Sequence, residues 1–111
     1  MTPPRTAPLV ELLWWEGCPS TERALELVRE ALVAEGFDPA VVQMREMETT
    51  EDAERERFVG SPTIRIGGEE VAPAQGEPVG LSCRVYHLRD GRISPTPDPT
   101  DIRDAIRRTT Q

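Results

Sequence analysis

The chain has 111 residues, 37% of them hydrophobic, and its 20 acidic against 13 basic residues give a formal charge of −7. That length supports one domain around a single core, and no apolar run approaches the ~20 residues of a membrane span. The acidic balance argues against nucleic acid or an anionic membrane surface as a partner, because both recruit positive charge.

Met1 to Pro8 carries no apolar h-region, so the sequence reads as cytoplasmic, with a flexible tail over 1–8 and one domain over 9–111. Leu9 to Trp14 is mostly apolar and reads as a buried strand. Trp15-Glu16-Gly17-Cys18-Pro19 follows as a turn. Ala24, Leu25, Leu27, Val28, Ala31 and Leu32 then recur at helical spacing, which predicts a helix over about 20–35 with one wide core face. Pro19 suits a first helical turn, and Ser20 and Thr21 suit capping positions. Gly36 reads as the left-handed stop of that helix.

Val41 to Met47 reads as a second strand. Thr49-Thr50-Glu51-Asp52 resembles a capping box and opens a short polar helix to about Phe58. Thr63–Ile66 is a third strand, Gly67-Gly68 a hairpin turn, and Glu69-Glu70-Val71 the start of a fourth strand. A Gly/Pro-rich loop covers 72–81, and 82–88 suits either a strand or a short helix. After Asp90-Gly91, Thr100 is placed as the N-cap of a closing helix, with Ile102 and Ile106 as its apolar stripe. The fold class is therefore α/β, in the order β-α-β-α-β-β-(insert)-α.

Cys18 stands where the first strand hands over to the first helix. A sulfur there meets unpaired N–H groups and the positive end of the helix dipole, which favour thiolate, while Glu16 and Glu22 oppose it. The plain alternative is a buried cysteine acting as a small hydrophobe. Cys18 and Cys83 are the two cysteines, and there is one His, so soft ligands alone cannot complete a four-ligand zinc site. No metal and no cofactor is implied.

The element order, with Gly-Cys-Pro after strand one and Ser-Pro-Thr before strand three, resembles the thioredoxin fold: a four-stranded mixed sheet with an insert before the last helix. The resemblance implies a redox cysteine at Cys18 and a cis proline at Pro62 facing it. It also implies that Ser61 offers its backbone to an extended substrate. Glu-Gly-Cys-Pro, Gly-Ser-Pro-Thr-Ile and Gly-Leu-Ser-Cys-Arg together are similar to a group of small bacterial thioredoxin-like proteins. In that group the first cysteine position can be selenocysteine, and members often carry an alkylmercury-lyase-like label. The group implies a redox role for Cys18 and no particular substrate.

Thr21 stands where ordinary thioredoxins place their second cysteine, so Cys83 becomes the candidate resolving thiol. A structural role for Cys83 stands beside that reading. Thr21 is a helix-start residue or a hydrogen-bond partner of the thiolate. Arg84 is a solvated side chain or an anion and thiolate support. Trp14 and Trp15 alternate across a strand, one into the core and the other, Trp15, as a rim near the sulfur. His87 reads as surface or packing.

The leading functional expectation is a thiol–disulfide oxidoreductase, with Cys18 as nucleophile and Cys83 resolving. Its partner would be a protein or low-molecular-weight thiol or disulfide. Organomercurial, arsenate or peroxide chemistry at the same pair is one alternative, and a non-catalytic binding module is another.

Overall fold

A computed structural model describes residues 7–73 and 76–110. Strands β1 (Val10–Trp14), β2 (Val42–Glu46), β3 (Thr63–Ile66) and β4 (Glu69–Glu70) form one mixed sheet, in the order β2-β1-β3-β4. β2 runs parallel to β1, while β3 runs antiparallel to β1 and β4 antiparallel to β3. The helices are α1 (Thr21–Ala34), α2 (Thr50–Glu56) and α3 (Pro99–Thr109). A second, two-stranded sheet pairs β5 (Tyr86–His87) with β6 (Ile93–Ser94).

Period-two alternation sorts β1 onto two faces. Val10 and Leu12 join Ile64 and Ile66 of β3 under α1 and α3, whose Leu27, Val28, Leu32, Ile102 and Ile106 complete the larger core. Leu13 points the other way, to Met47, Ala53 and Phe58, in the smaller core beneath α2. Further along that second face, Arg45 bridges Glu11 and Glu56, each at 2.8 Å, and Arg65 also reaches Glu56 at 3.1 Å. Charge thus covers the half of the face that α2 is too short to cover with apolar groups.

Several boundaries differ from the sequence reading. Pro19 lies before the N-cap rather than in the first turn: Ser20 is the N-cap of α1, and its side chain makes no capping bond. The stop at Gly36 is as expected, with φ 86°. Phe37 N–H donates to the Leu32 carbonyl and Gly36 N–H to that of Val33, the two bonds of a Schellman close. Residues Pro39–Val41 form a 3₁₀ turn capped by Asp38, which shortens the second strand at its start. Both halves of the Thr49–Asp52 capping box are made, and α2 ends early because Arg57 turns left-handed at φ 53°.

Asp98, not Thr100, caps α3, because Pro99 fits the first helical position and Asp98 accepts the Thr100 N–H. Segment 82–88 is neither one strand nor a helix; Tyr86–His87 pairs across the Asp90-Gly91 turn, and Cys83 makes an isolated bridge to Ser61. Residues 1–6 of the expected tail lie outside the described residues. Pro8 is buried and Ala7 packs on the larger core, so the packed unit starts before the expected boundary at 9. Among the described residues, no helix is long and apolar enough to cross a membrane.

Candidate functional site

β1 ends in the centre of the sheet, and the turn after it is built by Trp15. Its carbonyl accepts the Cys18 N–H at 3.0 Å, while its own N–H donates to Ser61 Oγ at 3.1 Å. The indole then lies across Gly17, where any Cβ would stand 2.3 Å from the ring. Glycine is what lets the turn close so tightly and bring Cys18 to the mouth of the sheet. Cys18 is buried, and its thiol donates to the Ser61 carbonyl at 3.4 Å.

Ser61 precedes β3 and is fully buried, with a cis bond to Pro62. Its backbone is taken up by the chain itself. Ser61 N–H donates to the Ser82 carbonyl at 2.7 Å, and Arg84 N–H donates to the Ser61 carbonyl at 2.8 Å. Ser61 and Cys83 thereby form a parallel bridge, where the sequence reading had Ser61 open to an extended substrate. Gly60, at φ 148°, permits this approach; a Cβ there would meet Arg84 atoms at 3.0–3.2 Å.

The bridge brings Cys83 to a groove that Cys18 also lines. Both are free thiols, and each lines a groove of about 320 Å³ whose other walls include Pro19, Val85, Ile93 and Pro95. The Cys83 pKa is raised above the ordinary cysteine value. Removal of the sulfur from water is the largest cause, followed by its hydrogen bond with Cys18 and then by the Cys18 charge.

Arg84 corrects its sequence reading most sharply. It is neither solvated nor open to an anion: the residue is 8% exposed. Its guanidinium is held by Glu70 at 3.0 Å, by Thr63 Oγ1 at 3.4 Å and by the Ala72 carbonyl. It also lies 4.7 Å from the centre of the Tyr86 ring. Tyr86 in turn donates its hydroxyl to the Pro62 carbonyl, and burial pushes its pKa strongly upward, so that proton stays in place. Arg84 is therefore a buried clamp for the segment that carries Cys83.

Trp15 is also displaced from its expected role. It packs on the smaller core and stands over Gly17, away from the hollows that open on Cys18. Its neighbour Trp14 takes the position beside the sulfur. Trp14, Thr21, Glu22 and Met44 line a second hollow of about 430 Å³ that also opens on Cys18. Thr21 Oγ1 and Trp14 Nε1 are both buried without a hydrogen-bond partner. Thr21 thus makes no bond to Cys18, whose proton goes to Ser61 instead. His87 is exposed on β5.

Sequence reasoning missed Tyr86, Met44 and the Trp14 hollow. Met44 belongs to β2, the parallel neighbour of β1, so its nearness to Cys18 depends on strand order rather than on local pattern. Among the described residues, no group of three or more His, Cys, Asp or Glu side chains is placed to hold a metal ion. No protein-family model matches the sequence, and no curated protein or solved structure matches it either.

Proposed function

We propose that this chain is a small thioredoxin-like thiol–disulfide oxidoreductase in which Cys18 attacks and Cys83 resolves. The observation that carries the reading is the meeting of the two thiols. Cys18, at the end of the central strand, lines the same groove as a cysteine 65 residues away that is bridged to Ser61 by its backbone. The sheet order β2-β1-β3-β4 with α1 and α3 on one face and α2 on the other supports the thioredoxin-like assignment.

The chemistry follows in two displacements. Cys18 thiolate attacks one sulfur of a disulfide R–S–S–R, forms Cys18–S–S–R, and releases RS⁻, which takes a proton from water. Cys83 then loses its proton and attacks the Cys18 sulfur, closing a Cys18–Cys83 bond and releasing the second RS⁻. The substrate gains two electrons and the protein loses two, which an external thiol returns. Part of what raises the Cys83 pKa is the charge of Cys18. Once Cys18 is bonded to R, that charge is gone and Cys83 gives up its proton more readily.

In a reducing cytoplasm such a bridge would be transient rather than structural. The test is dithiol-driven turnover of a small disulfide in three proteins. The wild type should cycle, and Cys18→Ser should be inactive. Cys83→Ser, mixed with the disulfide before any dithiol is added, should release one equivalent of thiol and then stall with R bound at Cys18. Full activity of Cys18→Ser would overturn the reading, and a wild type that does not turn over would leave a binding module.

A further inference from the structure

Two hollows open on Cys18, and Cys83 lines only one of them. That asymmetry matters for the second displacement. Attack on a disulfide sulfur requires the incoming and leaving sulfurs to lie opposite each other across the sulfur attacked. When Cys83 attacks Cys18, the departing arm R must therefore lie on the side of Cys18 away from Cys83. The hollow on Cys18 that Cys83 does not line is the one walled by Trp14, Pro19, Thr21, Glu22 and Met44.

Its chemistry is distinctive. Trp14 Nε1 is a donor, and Thr21 Oγ1 can donate; both are buried and neither has a partner in the protein. A buried polar group without a partner is costly, so an arm whose acceptor reaches either atom on entering gains a bond the protein does not supply. The walls are otherwise apolar apart from Glu22, which disfavours an anion. The volume, about 430 Å³, suits a small-molecule group. A polypeptide has no comparable hold, since the Ser61 amide and carbonyl that would pair with it are taken by Ser82 and Arg84.

Building on the oxidoreductase reading, we propose that the substrate is a low-molecular-weight, uncharged disulfide whose retained arm carries a hydrogen-bond acceptor and sits in the Trp14–Thr21 hollow. Thr21 and Trp14 donate to that acceptor, and the first arm to leave departs outward, beyond the retained sulfur and in line with Cys18. The electron balance is that of the two displacements above: the disulfide is reduced to two thiols, and Cys18 and Cys83 are oxidised to a bridge.

The test follows mixed-disulfide formation at Cys18 by intact mass in Cys83→Ser. Four probes are used: dithiodiglycolic acid dimethyl ester, dithiodiglycolate, dipropyl disulfide and a disulfide-linked dimer of a linear decapeptide. Each rate is divided by that of the same probe with the urea-unfolded variant, which removes intrinsic reactivity. The ester should exceed the dianion and the peptide dimer by about tenfold or more, the low end of what small pocket differences discriminate. Thr21→Val should lower the ester ratio toward that of dipropyl disulfide. Met44 is exposed on β2, so Met44→Arg alters the lip alone and should raise the dianion ratio.

A dianion or peptide ratio within about threefold of the ester overturns the substrate class. An ester ratio unchanged in Thr21→Val, or a dianion ratio unchanged in Met44→Arg, overturns the hollow as its seat. Failure of all four probes to modify Cys18 instead removes the oxidoreductase reading itself, and this inference with it.

Discussion

Ser61 does more for the site than either cysteine does alone. Its hydroxyl fixes the turn that presents Cys18, its carbonyl accepts the Cys18 thiol, and its backbone holds the segment bearing Cys83. A consequence can be measured at Cys83. Cys83 is exposed, yet partial loss of water around its sulfur and the Cys18 sulfur raise its pKa, so the thiol form is favoured in the folded chain. The stability this contributes is complete below the ordinary cysteine value near 9.0 and is lost as pH rises through the higher folded value. Alkylation of Cys83 against pH, read by peptide mass, should therefore have a midpoint above that of the unfolded chain. In Cys18→Ser the midpoint should fall part of the way back, leaving the share due to burial. A folded midpoint at or below the unfolded one would contradict the account. Cys18 was legible in the sequence because Gly-Cys-Pro sits between a strand pattern and a helix pattern. Arg84 was not. An Arg beside a Cys reads as solvated, and only the fold brings Glu70, Thr63 and Ala72 around it.

The segment from Ser82 to Tyr86 is the element the sequence described least well. Its residues follow neither a period of two nor one of 3.6, because its regularity comes from the partner it pairs with. Gly80 N–H on the Phe58 carbonyl, the Ser82–Ser61–Arg84 bonds and the Tyr86 hydroxyl on Pro62 pin it successively. The helices, by contrast, were legible because their signals are local. The capping box at Thr49, the Gly36 stop and the Ile102/Ile106 stripe each act within a few residues. Proline misled where two roles compete: Pro99 at a first helical position moved the cap of α3 back to Asp98. If Arg84 is the clamp, Arg84→Gln should cost about 2–4 kcal/mol, since it leaves Glu70 and the Ala72 carbonyl without their partner. It should also speed alkylation of Cys83 in the native state. Denaturant unfolding measures the first and timed iodoacetamide labelling the second. A stability loss under ~0.5 kcal/mol with unchanged labelling, the size of an ordinary surface substitution, would show that the segment stands without Arg84.

The fold places one central strand between two cores and leads both chains of cause to its end. The larger core fixes α1 and so the start of the helix beside Cys18; the smaller core fixes Trp15 and the turn before it. The long connection after β4 then returns to the Ser61 edge. This return was expected from element order, and the two thiols do line one groove. Its means, a backbone bridge to Ser61, needed three-dimensional pairing to appear. Both cysteines are free, so the central claim is that they bond when oxidised. Closing that bond requires Cα atoms within ~7 Å, so the two sulfurs, free here, must draw together on oxidation. Peptide mapping after stoichiometric diamide treatment tests it most directly. The account predicts a monomer carrying a Cys18–Cys83 linked peptide pair that dithiol reverses. Recovery of Cys18-linked dimers or glutathione adducts, with Cys83 still free, would contradict it.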